Sequence, residues 1–392
     1  MSSWKYEVKL RQLTPLIHFQ AEQPQATLRA TEVKPKLDRF LLWYLAPERF
    51  SGILSGKDEK KLLLEIARSK KWLLPMVQGD GSAALNYKMQ ISADEKDKID
   101  LDGIGAYFSV GQDDKKMGAF SKALINLTII CFNEELLDKI KEVISMFFSV
   151  HNFGFRQNKG FGSFLVVEFG EYNQLFKREE LVRKYVQMVN QNDNSQMRIY
   201  KLEYKKKMKV DFELVLKIIN NFHKYIKSKL LFNYVKSKDN KIINEKEIMN
   251  ALVNQKNLSK GKYKYIRGVL GFANHYTFNK KKIKFNLTAG EIKRFPSPLY
   301  FLPVYDMEYD KVKCLILVPS KLLKRLYDIN PTIEMKPEIS DERLKKIPII
   351  ELPRDVFDLY EFFQYLITAS AKDDNLYNLK YVNEKGGVEV NG

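Results

Sequence analysis

The residues whose types and spacing best suit chemistry lie in one short segment, residues 154–162, which reads GFRQNKGFG. Its three glycines free the backbone from side-chain clashes, so the segment can turn sharply and approach a ligand; they are Gly154, Gly160 and Gly162. Exposed amide N–H groups in such a loop can form an anion-binding nest. The alternative, favoured when the segment is considered alone, is a glycine-rich turn that only reverses the chain.

The side chains of this loop suit a ligand with phosphates and unpaired bases. Arg156 and Lys159 place two positive charges on the loop, where they can bind phosphate. Phe155 and Phe161 can stack on unpaired bases. The combination therefore points to single-stranded RNA as the ligand.

Two common phosphate-binding motifs do not explain the loop. The dinucleotide fingerprint G-x-G-x-x-G follows a strand and opens a helix, whereas this loop follows a predicted helix and precedes a predicted strand. The chain also contains no G-x-x-x-x-G-K-[ST] sequence. A nucleotide-binding enzyme of either kind is therefore not indicated.

Further basic residues stand near predicted element ends. Lys34, Lys36 and Arg39 flank the start of the first predicted helix, where a helix N-terminus can hold phosphate. Arg267 lies in a short predicted helix that ends at glycine, and Arg294 comes just before a strand. For all five residues the simpler alternative is an ordinary solvated helix end, helix cap or loop.

Catalysis without a metal is a second possibility. The chain has four histidines, and no two have the spacing of a metal-binding pair. His18 follows the first strand and His151 precedes the glycine loop, so either can act as a general base on a ribose 2′-OH while Lys159 stabilises the phosphorane. The alternative is that both are capping or core histidines. No G-x-S-x-G elbow occurs, which disfavours a serine hydrolase.

The whole chain is basic enough to attract polyanions. It has 392 residues and a formal net charge of +18, with a sequence pI near 9.4. Nucleic acid is the commonest partner of such a surface, and an anionic membrane surface comes second. The alternative is a lysine-rich composition spread over a solvated surface. Since 45% of the residues are hydrophobic, the chain can form true cores.

The cysteines and the apolar segments of the sequence indicate where the protein works. Cys131 and Cys314 are far apart and each lies in an apolar run, so they are expected to be buried thiols and not part of a disulfide framework or metal site. The N-terminus lacks an apolar signal segment, and no apolar run reaches the ~18–20 residues that cross a bilayer. We therefore expect a cytoplasmic protein that does not bind to membranes.

The N-terminal half predicts one sheet with helices on one face. Apolar periodicity gives the order strand, helix, strand, strand, helix, strand over residues 4–13, 36–46, 82–92, 120–132, 133–148 and 163–169, with Pro24 and Pro35 as breaks and Asn133 as a helix N-cap. Such a βαββαβ unit forms a four-stranded antiparallel sheet, the ferredoxin-like arrangement that the RNA recognition motif shares. Its second face is free to meet a partner.

The C-terminal half predicts a degenerate repeat of the same unit. Helices are expected over 179–190, 211–235 and 354–369, and strands over 198–210, 280–287, 298–309 and 312–320. The segment near 211–260 is interpreted as a helical insertion. The fold class is therefore α+β with two ferredoxin-like domains, residues 1–172 and 173–392.

Four segments, taken together and in order, resemble the RAMP superfamily of CRISPR-associated proteins. Asn158 to Ser163 is similar to the loop core of that superfamily, and Leu13 to Leu16 to its N-terminal signature. Lys36 to Tyr44, together with Arg267 to Gly271 and Arg294 to Leu299, resembles one branch, the first subunits of the Cmr complex (the type III-B RNA-targeting effector). The chain departs from that branch at Ile17 to Gln20, where glycines are usual, and in lacking a glycine at the start of the first helix.

The resemblance implies a binding subunit without a catalytic role and without cofactor or metal. Its partners would be guide RNA and target RNA, contacted near the 3′ end of the guide, and neighbouring subunits of the effector. The RNA-binding set then comprises Lys34, Lys36, Arg39, Gly154, Phe155, Arg156, Asn158, Lys159, Gly160, Phe161, Gly162, Arg267 and Arg294. The alternative is a metal-independent endoribonuclease that processes CRISPR transcripts. Those enzymes also pair two RAMP domains, but their usual loop lies near the C-terminus.

Overall fold

A computed structural model of the chain describes residues 4–17, 28–51, 56–74, 84–93, 97–100, 117–167, 174–192, 196–204, 210–253, 260–271, 275–278, 283–288, 295–304, 312–319, 323, 326–328, 333–337, 350–372 and 377–382. The chain forms two compact units. The first comprises Met1–Asn220, Tyr300–Leu317 and Lys380–Val390, and the second Asn221–Leu299, Val318–Leu379 and Asn391–Gly392. The predicted domain boundary after residue 172 stays a prediction.

The helices in the described part of the chain are α1 Ala30–Leu45, α2 Gly56–Ser69, α3 Glu134–Val150, α4 Gln174–Asn192, α5 Phe212–Tyr225, α6 Leu231–Lys238, α7 Glu245–Val253 and α8 Leu359–Lys372. Short 3-10 turns occupy Pro47–Phe50, Gln157–Lys159 and Ile266–Leu270, and a π-helical turn Ile226–Leu230 joins α5 to α6. The last of the 3-10 turns ends at Gly271, as the sequence predicts for this segment.

The strands in the described part are β1 Lys5–Gln12, β2 Lys88–Ser92, β3 Asp97–Asp100, β4 Met117–Phe120, β5 Ile125–Ile130, β6 Phe164–Val167, β7 Met197–Tyr204, β8 Ile242–Asn244, β9 Lys262–Lys264, β10 His275–Phe278, β11 Ile283–Thr288, β12 Tyr300–Val304, β13 Lys313–Pro319, β14 Glu334–Pro337 and β15 Tyr377–Val382. In the described residues, β1 pairs with β5 and β6, β2 with β5, β3 with β4, β10 with β11, β11 with β14 and β12 with β13, all antiparallel, whereas β8 and β9 pair in parallel. The fold class is therefore mixed α and β with antiparallel sheets.

The first sheet has the strand order β2-β5-β1-β6 with antiparallel neighbours. Alternation in β1 buries Val8 and Leu10, whereas Lys5 and Arg11 are exposed. The buried side of the sheet joins one apolar core with the inner faces of α1 and α3. The period-two pattern of the strands and the amphipathic pattern of the helices thus bury one face of each element in a shared core.

Helix α3 begins where the sequence predicts. The Asn133 carboxamide oxygen accepts a hydrogen bond from the Leu136 amide at 2.9 Å, so the predicted N-cap is confirmed. Glu134 and Glu135 follow at the positive end of the helix dipole. The apolar face is buried along its length and brings the chain to the glycine loop.

Helix α1 corrects one expectation. Pro35 was expected to break the chain, but it lies inside α1, which starts at Ala30, six residues before the predicted helix. An internal proline removes one backbone hydrogen bond and crowds the preceding turn. The buried stripe of Val33, Leu37 and Leu41 runs past it on both sides, so the packing of the helix outweighs the local cost.

The second four-stranded sheet has the order β12-β13-β7-β15. When the strands of each sheet are numbered in chain order, both sheets read 2-3-1-4. In the second case α5, α6 and α7 stand between the first and second strands, where the sequence predicts a helical insertion. Within the first unit, Leu302, Leu315 and Val382 of this sheet join the same core as the first sheet.

The second unit packs α6 and α8 around aromatic residues. Tyr234 of α6 lies 5.3 Å from the ring centroid of Phe362 and 5.9 Å from that of Phe357. Its hydroxyl donates to Glu361 at 3.2 Å. A three-stranded sheet β10-β11-β14 belongs to the same unit. Within the described residues, no helix of either unit is long and apolar enough to cross a membrane.

Candidate nucleic-acid interface

The glycine loop is a tight left-handed structure between α3 and β6. Gly154, Arg156, Gly160 and Gly162 all have positive φ, at +75°, +58°, +84° and +64°. A Cβ atom on Gly162 would stand 2.0 Å from the Phe153 carbonyl oxygen. One on Gly154 would meet the carbonyl oxygen of Ile17 at 2.5 Å. Both contacts are far below van der Waals distance, so only glycine fits at these two positions.

The loop rests on the segment that follows β1. The Thr14 hydroxyl donates to the carbonyl oxygen of Gly160 at 2.6 Å and accepts from the Ser163 amide at 3.0 Å. The Gly162 amide donates to the carbonyl oxygen of Pro15 at 2.9 Å. The resemblance rests in part on two separate segments, residues 13–16 and 158–163. In the structure these hydrogen bonds hold the two segments together.

The amides of the loop are used inside the protein. Those with acceptors within the protein are the amides of Gly154, Phe155, Lys159, Gly160 and Gly162. The acceptor of the Gly154 amide is the Glu32 carboxylate of α1, so an internal anion occupies a position suited to phosphate. This pattern does not fit the expectation of an open anion-binding nest.

The two loop phenylalanines differ in exposure. Phe161 is 3% exposed and packs with Ile17 and Leu216, which does not fit the stacking role expected for it. Phe155 is half-buried and packs against the edge of the same cluster. Arg156, Gln157, Asn158 and Lys159 are also half-buried, and the Nζ atom of Lys159 is itself buried.

Lys159 faces an aromatic ring of the first unit. Its Nζ lies 5.8 Å from the ring centroid of Phe301 in β12, within the range of a cation–π contact. The neighbouring Gly160 is close to the same strand, where an added Cβ would meet Pro303 at 3.1 Å. The loop therefore joins the two sheets of the first unit and is held from both sides.

Helix α1 reaches the base of the loop through Lys36. The Lys36 Nζ donates to the Gln157 side-chain oxygen at 2.9 Å and to the Asn152 carbonyl oxygen at 3.3 Å. It also lies 4.9 Å from the ring centroid of Phe153. Burial lowers the pKa of this ammonium group, and the nearby Glu32 opposes the shift. The structure thus brings Lys36, one of the residues predicted to bind RNA, to the base of the loop.

Lys34 and Arg39 have partners elsewhere. The Lys34 Nζ donates to Asp38 at 2.8 Å and to the Leu85 carbonyl oxygen at 2.9 Å, and lies 4.1 Å from the Tyr87 ring centroid. Burial raises the pKa of the Asp38 carboxyl, and Lys34 opposes that shift. Arg39 is exposed and forms a two-point ion pair with Glu59. Lys34 is therefore part of the packing of α1, and Arg39 is available only in competition with Glu59.

His151 lies among aromatic rings beneath the loop. Its ring is 4.8 Å from that of Phe147 and 5.5 Å from that of Phe40, and its Nδ1 is 2.9 Å from the Phe147 carbonyl oxygen. Burial, together with the charges of Lys36 and Arg39, lowers the pKa of His151 to about 4, and the hydrogen bond to the Phe147 carbonyl oxygen opposes the shift. The imidazole is therefore neutral at pH 7. His18 and Arg294 lie outside the described residues.

Arg267 belongs to a buried charge cluster of the second unit. Its Nε lies 3.5 Å from a carboxylate oxygen of Glu245, which is fully buried, and its guanidinium lies 5.4 Å from the Phe232 ring centroid. Burial raises the pKa of Glu245, with Arg267 opposing. Burial also lowers the pKa of Lys227 to about 8, helped by Arg267. Arg267 thus has a structural partner within its own unit.

Sequence reasoning missed Arg178, a fully buried cation of α4. It donates to the Ser149 carbonyl oxygen at 3.1 Å, the Ser163 hydroxyl at 2.9 Å and the Pro303 carbonyl oxygen at 2.6 Å. Burial lowers its pKa to about 10. These contacts tie α4 to the end of α3, the end of the glycine loop and β12. No local signal marks Arg178, because it lies in a charged stretch typical of a solvated helix.

Asn152 is a second residue that sequence reasoning missed. Its side-chain nitrogen donates to the Gln157 carbonyl oxygen at 2.6 Å and the Phe301 carbonyl oxygen at 2.9 Å. Its amide donates to the Tyr300 hydroxyl at 2.6 Å. Asn152 therefore fixes the 3-10 turn of the loop against β12. Within the described residues, no group of three or more His, Cys, Asp and Glu side chains is arranged to hold a metal ion.

Family models identify the class of protein that this arrangement belongs to. A model of the Cmr1 N-terminal domain matches residues 3–230, and a model of the Cmr1 C-terminal domain matches residues 225–384. Together the two matches span nearly the whole chain. The protein therefore belongs to the Cmr1 family.

Two solved structures are similar to the chain. One is the crystal structure of Cmr1 from Pyrococcus furiosus in its apo form, with 12% identity, coverage of 93% of this chain and 97% of that chain, and a TM-score of 0.44. Another is the cryo-EM structure of the type III-B Cmr-beta bound to cognate target RNA, with 12% identity, coverage of 87% and 97%, and a TM-score of 0.39. None of the curated proteins compared with the chain matches it.

Proposed function

We propose that this protein is an RNA-binding, non-catalytic subunit of a type III-B CRISPR effector, where it contacts guide or target RNA near the 3′ end of the guide in antiviral defence. The observation that carries the proposal is the match of both Cmr1 domain models, over residues 3–230 and 225–384. The net charge of +18 supports an anionic partner. Other subunits of the effector would be its protein partners.

The fold supports two RAMP domains of the ferredoxin-like kind. Both four-stranded sheets have the order 2-3-1-4 along the chain, which is the order of a βαββαβ unit. The insertion of α5 to α7 after the first strand of the second sheet explains why the second repeat is degenerate in sequence. The first domain would end near residue 172 and carry the glycine loop.

The loop would act as a rigid support for a few polar side chains. Its backbone is fixed by Thr14, Asn152 and the Glu32 carboxylate, so little ordering is needed when RNA binds. Arg156 and Asn158 would contact phosphates or ribose, and Phe155 would offer an edge for a base. Lys36 would add charge at the base of the loop, because its ammonium group already contacts Gln157.

A non-catalytic role is supported by the surroundings of His151. A general base works best when its pKa lies near the working pH. The pKa of His151 is lowered to about 4, and its Nδ1 is engaged by the Phe147 carbonyl oxygen. Such an imidazole takes a proton from a ribose hydroxyl only weakly.

The double variant Arg156→Ala, Lys159→Ala tests the loop assignment. We expect a lower affinity for single-stranded RNA, because the loop loses two positive charges, and a lower thermal stability, because the buried Lys159 Nζ no longer contacts the Phe301 ring. Affinity is measured by fluorescence anisotropy across a salt series. The matched control is Lys139→Ala, Lys141→Ala, which removes the same charge from exposed positions of α3. Equal affinity of the loop variant and the control variant would rule the loop out as an RNA contact.

A further inference from the structure

The face of the first sheet that points away from its core carries charged side chains along β1, whereas Leu165 of the neighbouring strand β6 is buried on that side. Alternation places Lys5, Glu7, Lys9 and Arg11 of β1 on this face, whereas Val8 and Leu10 face the core. The same face continues across β5 to β2, because Ile130 of β5 lies opposite Lys5 of β1 on one side and opposite Lys88 of β2 on the other. We call this surface the open face.

The open face is basic and hydrophilic. Its described charged residues are four cations and one carboxylate, namely Lys5, Lys9, Arg11, Lys88 and Glu7. Lys5 pairs with Glu7 at 2.6 Å, and Lys9 donates to Asn126. The other described positions on this face carry the polar residues Gln90, Ser92, Asn126 and Thr128 and the apolar residues Ile130, Leu165 and Val167. A net positive charge thus remains along β1 and β2, and the apolar side chains lie at the end of β5 and along the edge strand β6.

An exposed aromatic pair lies at one end of this face. Phe132, just past the end of β5, is 83% exposed, and Trp4, just before β1, is 42% exposed. Their rings stack with centroids 5.9 Å apart and an angle of 29° between the planes. Phe132 is two residues beyond Ile130, whose strand neighbours are Lys5 and Lys88. Two cations therefore stand in the sheet row next to the aromatic pair.

We propose that a single strand of RNA lies across the open face, with one unpaired base stacked on the Trp4–Phe132 pair and its phosphates on Lys5, Lys88 and Arg11. Aromatic rings beside cations on a sheet are the means by which proteins hold single-stranded nucleic acid. This second contact rests on the proposed RNA-binding role but not on the glycine loop.

The composition of the face favours RNA over a protein partner. Stable protein interfaces have an apolar centre with few charges. On the open face the charged and polar residues occupy the middle strands, and the exposed aromatic rings stand at one end. A duplex is disfavoured for a different reason, because its bases are already stacked and cannot use the rings.

The aromatic pair is tested with Phe132→Ala and a labelled single-stranded RNA of about 16 nucleotides, the upper end of single-domain site sizes. We expect a loss of affinity of roughly 5- to 100-fold, since one base loses its stacking partner. Leu74→Ala is the control, because Leu74 is also an exposed large apolar residue, at 43%. Thermal unfolding should be unchanged in Phe132→Ala, because the Phe132 side chain is mostly in solvent.

The cations are tested with Arg11→Ala, Lys88→Ala against the control Lys139→Ala, Lys141→Ala. Each phosphate contact in single-stranded RNA contributes about 0.7 to the slope of log affinity against log salt. Loss of two contacts should therefore reduce the slope by about 1.4 in the face variant and leave it unchanged in the control variant.

The outcomes separate this inference from the proposed function. If wild type binds the RNA and the loop variant is weakened while both face variants bind as wild type does, the open-face inference is overturned and the proposed function stands. If the face variants lose affinity for polyglutamate as much as for RNA, the face is a general polyanion or protein surface and the inference also fails. Absence of RNA binding by the wild-type chain would overturn both.

Discussion

At the scale of residues, the glycine loop works through fixed backbone geometry. Gly154 and Gly162 allow contacts that no larger residue permits, and the hydroxyl of Thr14 joins the loop to the end of β1. The charged residues then fall into two kinds. Lys36 contacts the loop, whereas Lys34 and Arg267 are held by the buried carboxylates of Asp38 and Glu245. Residues of the same type in the sequence thus have different roles in the fold.

His151 gives a pH prediction at this scale. Its pKa is about 4 in the folded chain against an ordinary value of 6.5, so the unfolded chain binds more protons between these two pH values. This contribution to stability is complete above pH 6.5 and is lost as pH falls towards 4. We expect the wild type to lose about 2 kcal/mol more than His151→Asn between pH 7 and pH 5.

Urea unfolding at the two pH values measures the difference. Asn keeps a donor for the Phe147 carbonyl oxygen but cannot take up a proton, so other titrating groups act equally in both proteins. Asp38 and Glu245, whose pKa values are raised by burial, act in the opposite direction and cancel in the comparison. Identical pH dependence of wild type and variant would mean that His151 is not shielded as described.

At the scale of elements, α4 is the support of the loop. Its Arg178 connects Ser149 at the end of α3, Ser163 at the end of the loop and Pro303 in β12. The side chain is fully buried, and all its described hydrogen bonds go to neutral oxygens. Burying a cation without a carboxylate partner costs free energy of folding, and the hydrogen bonds of Arg178 offset part of that cost.

We expect Arg178→Met to destabilise the first unit by about 2–4 kcal/mol, because two carbonyl oxygens and one hydroxyl lose their donor in a buried site. Chemical unfolding measures the loss. Arg183→Met is the control, since Arg183 lies on the same helix and pairs with Glu179 in a less buried position. Should Arg178→Met unfold at the same denaturant concentration as the control, the buried hydrogen bonds would not be holding α4 in place.

Local sequence signals predicted the elements around the loop well. The period-two pattern of β1, the amphipathic pattern of α3 and the Asn133 cap depend on neighbouring residues only, so they are legible in the chain. The position of the glycine loop between α3 and β6 followed from them. Pro35 was misjudged because the packing of α1 outweighs a local rule.

The interior contacts of the site could not be predicted. Phe161 packs against Leu216, which lies 55 positions further along the chain. The Gly154 amide donates to the Glu32 carboxylate, which lies 122 positions earlier. Arg178 has no pattern that separates it from surface arginines. Contacts at such separations depend on how the elements pack, and no local period or cap encodes them.

At the scale of the whole molecule, the chain repeats one sheet order and belongs to the Cmr1 family over both halves. A net charge of +18 gives it a long-range attraction to polyanions that salt weakens. The loop and the open face would supply local contacts on top of that attraction. Neither needs a catalytic group, which agrees with the proposed role as a binding subunit.

The most direct test of the central claim is a single gel experiment with purified protein and labelled CRISPR repeat–spacer RNA in EDTA. We predict a shifted band of intact RNA that competitor polyanions fail to displace. Defined cleavage within the repeat would contradict the claim and make the protein a metal-independent processing endoribonuclease. Failure to shift the RNA at all would contradict the RNA-binding role itself.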